Sequence, residues 1–282
     1  MYTSRGKIQN VPEKSFQPNL DHISILASTI LLAYTFAGLI NISERVFAAQ
    51  LPGIYLEIKI STQTIISFLA ACLAASGANW LLREHPSGKN KRLAIHILLP
   101  AITAWIIGVP IHQQALGLFW WVGIFLGGGV LILVLIAEFT VVDTSTRNLN
   151  YVFASTGLTI LAYALLFLLT VTLKASQIRL FQLIPPLTLM MFVVSLRILH
   201  LRSQGNLAFQ EASLITLIFA QILIAAYYLP FSPISFGLFL QGPAYGLNSV
   251  FANIGDGKPW KVAMIEPVIA FIIFGSLAIV FR

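Results

Sequence analysis

The sequence predicts an all-α integral membrane protein of about nine transmembrane helices, its N-terminus inside, with one short strand-like segment outside. Three observations carry that expectation. The 282 residues are 57% hydrophobic and 10% charged, with a mean hydropathy of +0.86. A soluble domain carries about a quarter charged residues, so the solvent for most of this surface is lipid. Apolar runs of roughly 20 residues, the length a helix needs to cross hydrocarbon, recur from residue 22 onward. Between the first two runs, LPGIYLEIKIS (51–61) alternates instead: Ile54, Leu56, Ile58 and Ile60 interleave with Tyr55, Glu57, Lys59 and Ser61. A period of two belongs to a half-buried strand.

Taken in order, residues 1–21 form a polar cytoplasmic tail, and 22–282 a single polytopic transmembrane domain. The run 22–42 is too long for a signal-peptide core and no clean small-x-small site follows it, so it reads as a retained first helix. The ribbon at 51–61 is no crossing, because its period is wrong and it carries Glu57 and Lys59. A lone strand leaves its edges unpaired, so either a partner is expected, around 230–236, or the segment lies flat as an irregular loop. Tyr55, Glu57, Lys59, Tyr228 and Phe231 together make an expected outer cap. The remaining spans are 62–82, 93–112, 116–142, 150–173, 179–201, 211–230, 236–254 and 260–281. Ala70, Ala74 and Ala78 in the second span, and Gly123 and Gly127 in the fourth, supply small faces for close helix packing. The eighth contains Gln241, Pro243, Asn248 and three glycines, which leaves it either a full crossing or a broken, re-entrant one.

Charge supplies the orientation. With nine crossings, twelve basic residues fall on the N-terminal side: Arg5, Lys7, Lys14, Arg83, Lys89, Lys91, Arg92, Arg147, Arg197, Arg202, Lys258 and Lys261. Only Arg45, Lys59, Lys174, Arg179 and Arg282 fall opposite. Cytoplasmic loops carry the excess of Lys and Arg, which puts the N-terminus inside. Trp80 and Trp260 then mark the inner interface, and Trp120, Trp121, Tyr227 and Tyr228 the outer one. A basic chain without a clustered basic patch is no candidate for nucleic acid.

Ionisable groups inside spans are the main functional candidates, because charge is costly to bury in lipid. Glu138, Arg197 and Glu266 all fall in the cytoplasmic half, with His96, Glu211 and Asn79 near the same level. The expectation is that Arg197 pairs with Glu138 or Glu266 and lines a cytoplasm-facing polar pocket; a plain structural ion pair is the alternative. No catalytic constellation, metal motif or cofactor loop is present in the sequence. Cys72 stands alone, so neither an intramolecular disulfide nor a cysteine zinc site is possible.

The stretches RVFAAQLPGIYLEIKISTQTI, ASGANWLLREHP, LLPAITAWIIGVPI, AEFTVVD, SLRILHLR and YYLPFSPISFGL resemble a family of bacterial polytopic membrane proteins defined only as a domain of unknown function. The resemblance implies shared architecture and transfers no activity, cofactor or catalytic residue. The functional expectation is binding or carriage of a small or lipid-like molecule in a bacterial inner membrane, with membrane lipids as partners and an open oligomeric state. The alternatives are a non-catalytic accessory or scaffold subunit and, third, a lipid-modifying enzyme.

Overall fold

In the computed structural model the described residues are 20–39, 45–51, 54–60, 62–83, 94–112, 117–143, 149–202 and 208–282. They form α1 (Leu20–Leu39), β1 (Arg45–Leu51), β2 (Ile54–Ile60), α2 (Thr62–Arg83), α3 (Ala94–His112), α4 (Leu118–Asp143) and α5 (Leu149–Ala175). α6 (Leu180–Arg202), α7 (Phe209–Tyr227), α8 (Pro233–Gly255), α9 (Trp260–Ala263) and α10 (Ile265–Val280) complete the chain. Six stretches, in α2, α4, α5, α6, α7 and across α9–α10, are long and apolar enough to cross a membrane. α1 and α3 contain shorter apolar helices. Large apolar side chains such as Phe119, Leu126, Phe153 and Ile160 stand exposed on the outside of the bundle, as lipid-facing surface does.

Local chemistry sets the helix ends and satisfies the polar residues inside. Thr103, Thr140, Thr170 and Thr216 each donate to the carbonyl four residues earlier, so their hydroxyls cost little in an apolar setting. Ser232 caps α8 by accepting the Ser235 N–H at 3.2 Å, with Pro233 at the first helical position. α8 ends where Gly257 takes φ +76°: its N–H donates to Ile254 O and that of Lys258 to Asn253 O. This is the paired closure that glycine permits at a helix C-terminus.

Two expectations need correction, and one open alternative is decided. Span eight, left as a full crossing or a broken helix, is one unbroken helix, Pro233–Gly255, despite Pro243 inside it. The interruption lies instead between α9 and α10 at Met264, because the Pro267 ring obstructs the carbonyl four residues back and brings no N–H. β2 pairs antiparallel with β1, not with 230–236: Gln50 stands opposite Tyr55, Ala48 opposite Glu57 and Val46 opposite Lys59. Only two residues separate the strands, so closing that pair costs little chain entropy, whereas 233–236 are already the first turn of α8. Trp120 is 2% exposed and packs against Gly38 and Trp121, so it belongs to the interior and not to an interfacial belt.

Two buried apolar clusters organise the bundle. One joins α1, α2, α3 and α4 through Ile30, Tyr34, Ala74, Ala78, Ile124 and Leu131. The other runs from α3 to α8 through Leu99, Leu166, Leu187, Met190, Phe219 and Phe236. α3 and α4 contribute to both and act as a shared wall. Ala70, Ala74 and Ala78 are buried as expected of a packing face. Gly127 abuts Ile107 of α3, whereas Gly123 lines a surface groove with Trp120 and Leu126. A further small-residue contact meets backbone and not the end of a side chain. Gly242 and Gly246 of α8 lie against Phe271 and Pro267 of α10, and a Cβ on Gly242 would stand 3.3 Å from the Phe271 Cα. Gly242→Val is therefore expected to destabilise the α8–α10 pair by about 1–3 kcal/mol, read as a lower unfolding temperature in detergent. Gly129→Ala, where a Cβ meets nothing within 4 Å, should leave that temperature unchanged.

Candidate functional site

Three helices bring ionisable groups to one buried point. His96 is in the first turn of α3, Glu138 near the end of α4, and Arg197 in the last third of α6. Arg197 and Glu138 are each 1% exposed and His96 6%. The guanidinium grips the carboxylate with two parallel bonds, Nε to Oε1 at 2.9 Å and Nη2 to Oε2 at 2.5 Å. Bidentate charge-assisted pairs of this kind are among the stronger hydrogen bonds in proteins. His96 Nδ1 lies 2.8 Å from Glu138 Oε2 and 3.4 Å from Arg197 Nη2. A guanidinium only donates and an ionised carboxylate only accepts, so Nδ1 serves as a donor to Oε2 and merely neighbours the arginine. His200, one turn past Arg197, stands edge-on to His96 with ring centroids 5.8 Å apart. Arg197, Glu138 and His96 are all buried, and the cavity between α5, α6 and α8 is lined by other residues.

A second polar layer lies between α5, α6 and α8. Its origin is a stripe on α8: Gln241, Tyr245, Asn248, Ser249 and Asn253 recur every three or four residues and so share one helical face. Gln241 Nε2 donates to Tyr163 O at 3.0 Å, tying α8 to α5. Glu266 of α10 accepts from the Tyr245 hydroxyl, from Ser249 Oγ at 2.9 Å and from Asn253 Nδ2 at 3.5 Å. Lys258 in turn donates to Asn253 Oδ1 at 2.8 Å. Beside this network opens a cavity of about 360 Å³. Ser155, Thr159 and Tyr163 of α5 form one wall, and Tyr245, Asn248 and Ser249 of α8 the other. Arg202, the last residue of α6, closes one end.

A family model described as a protein of unknown function, DUF5656, matches residues 42–281. The chain belongs to this family. No curated protein and no solved structure matches it. The DUF5656 match takes in both polar layers and all but the first helix.

The structure therefore divides the six residues expected in one pocket. Arg197 pairs with Glu138 and not with Glu266, and His96 joins them. Glu266 belongs to the α8–α10 network beside the cavity. Asn79 accepts from Arg83 Nε at 3.3 Å within α2, and Glu211 is exposed in the first turn of α7; neither belongs to a shared site. Of the expected cap, Tyr228 is 74% exposed and Phe231 packs on Phe239 with centroids 5.2 Å apart. Residues 55, 57 and 59 are placed by backbone register alone. No group of three or more potential metal-ligating side chains occurs among the described residues. Sequence reasoning overlooked the cavity residues, although the polar stripe that signals them was readable in span eight.

Removing one partner of a buried pair strands the other charge. Arg197→Met alone should therefore cost about 3–5 kcal/mol, whereas Arg197→Met with Glu138→Leu should recover most of that loss. Unfolding temperatures of the two variants check this expectation, and a double variant no better than the single would show that the loss does not come from stranding a charge.

Proposed function

We propose that the chain is a multi-pass protein of a bacterial cytoplasmic membrane, crossing it nine times with its N-terminus inside. We infer that it binds or carries a small or lipid-like molecule in the cavity between α5, α6 and α8. The cavity carries this reading. Its volume of about 360 Å³ is within the range of ligand sites, and convergent polar groups line it in an otherwise apolar bundle. The C-terminal ends of α6 and α8 and the N-terminal ends of α5 and α10 gather at the cavity end of the bundle. The basic loops read as cytoplasmic from the sequence connect helices at that same end. Ninefold crossing requires α8 to span; its 23 residues extend about 34 Å at 1.5 Å per residue, enough for the hydrocarbon core. Its polar side chains face protein, which explains its modest hydropathy.

The accessory-subunit reading draws on a different observation. The His96, Glu138 and Arg197 cluster is sealed and stiffens the bundle without lining a ligand site.

Native mass spectrometry of the detergent-purified protein tests the ligand reading. A retained small molecule or lipid is expected on the wild type and should be lost in Thr159→Phe, which fills the cavity from α5. A bare protein, or adducts indifferent to the substitution, would favour the accessory subunit. Orientation is tested separately on a Cys72→Ser background. An impermeant maleimide should label Ser176→Cys in intact cells and Ser87→Cys only after permeabilisation; the opposite pattern would invert the topology.

A further inference from the structure

The hydrogen inventory of part of the cavity wall is one-sided. Ser155 Oγ spends its hydrogen on Val152 O at 3.1 Å, and Thr159 Oγ1 on Ser155 O at 2.8 Å. Ser249 Oγ donates to Glu266 Oε2 at 2.9 Å, and the Tyr245 hydroxyl donates to Oε1. Each oxygen keeps lone pairs and no hydrogen to offer. Asn248, 1% exposed, directs Nδ2 to Ala244 O at 2.9 Å, and its buried Oδ1 has no partner. A group entering beside Ser155, Thr159, Tyr245 and Ser249 meets acceptors there, while the Tyr163 hydroxyl, a neighbour of Asn248, and Thr156 bring hydrogens of their own.

Two further features narrow that group. The rings of Tyr163 and Tyr245 both line the cavity, with centroids 5.6 Å apart, and aromatic faces attract cations. Behind Tyr245 and Ser249 stands the Glu266 carboxylate. Acceptors, π-faces and a carboxylate together suit a primary ammonium with its three N–H donors; a quaternary ammonium brings none. The mouth has the opposite character. Arg202 is exposed there and makes no hydrogen bond or ion pair with the described residues, and its planar fork matches a phosphate in a bidentate manner. Ile160 at the rim is 64% exposed, so the opening faces sideways, toward the lipid that surrounds a spanning helix.

We propose that this cavity recognises a primary ammonium linked through a short spacer to a phosphate, with the ammonium seated among the acceptors of α5 and α8 and the phosphate on Arg202. The proposal rests on the cavity being a ligand site, as argued above. A phosphoethanolamine phospholipid and free O-phosphoethanolamine share this chemistry.

The test places the full chain in nanodiscs containing equal parts of phosphatidylethanolamine, phosphatidylcholine and phosphatidylglycerol, followed by native mass spectrometry. Phosphatidylethanolamine adducts are expected to exceed the other two by about tenfold, the worth of one charge-assisted hydrogen bond. Arg202→Gln, at an exposed helix end where folding is not at risk, should lower those adducts by a similar factor. Glu266→Gln should narrow the preference for ethanolamine over choline. Adducts that persist in millimolar O-phosphoethanolamine identify the lipid as the bound form, and displacement identifies the headgroup alone as sufficient; both support the assignment. Equal adducts of all three lipids, or phosphatidylethanolamine adducts undiminished in Arg202→Gln, would overturn it. Adducts of another species that vanish in Thr159→Phe would overturn the headgroup assignment and leave the ligand site standing. A protein bare of every adduct would overturn both.

Discussion

Burying a guanidinium commits the rest of a bundle to satisfying it. The Arg197 side chain is too short of water to be solvated where it lies. Glu138 must therefore face it from α4, and His96 completes the carboxylate's partners from α3. One ion pair thereby fixes the relative rotation and height of α3, α4 and α6. Two of those helices are the wall between the two apolar clusters, so the same contact positions α1 and α2 on one side and α5, α7 and α8 on the other. Such a pair adds little net stability over well-packed apolar residues, because desolvation offsets most of the attraction. Its effect is on geometry: registers that separate the charges are heavily penalised.

The α8 layer solves a related problem with weaker means. Its polar stripe links charges indirectly, through a chain of hydrogen bonds from Lys258 by way of Asn253 and Ser249 to Glu266, and the glycines at 242 and 246 let α10 approach closely enough to complete it. Close approach compensates for the lack of a hydrophobic driving force between helices in lipid. α10 packs mainly on α8, so this layer is held from one side while the cavity occupies the other.

Much of the helical layout was legible residue by residue. Residues 22–42 and 62–82 correspond to α1 and α2, and 116–142 to α4, because length and apolarity in lipid leave the backbone few alternatives to helix. The alternation of 54–60 was legible as a strand for the same local reason, since period two is a property of the chain itself. The strand's partner was not, because RVFAAQL carries no clean alternation to mark β1. The burial of Trp120 was also hidden: an aromatic at a helix end reads as interfacial unless Gly38 is known to lie opposite.

The sequence by itself determined most of the helical segments and the extended conformation of 54–60, since periodicity and span length are properties of contiguous residues. Only the tertiary structure decided the pairing. Glu138 and Glu266 were both candidate partners for Arg197, and the choice between them depends on the rotation of α4 and α10 about axes that no local pattern specifies. The same holds for LPGIYLEIKIS. Its alternation settles the conformation of the ribbon, but only packing in three dimensions selects the residues that satisfy its edge.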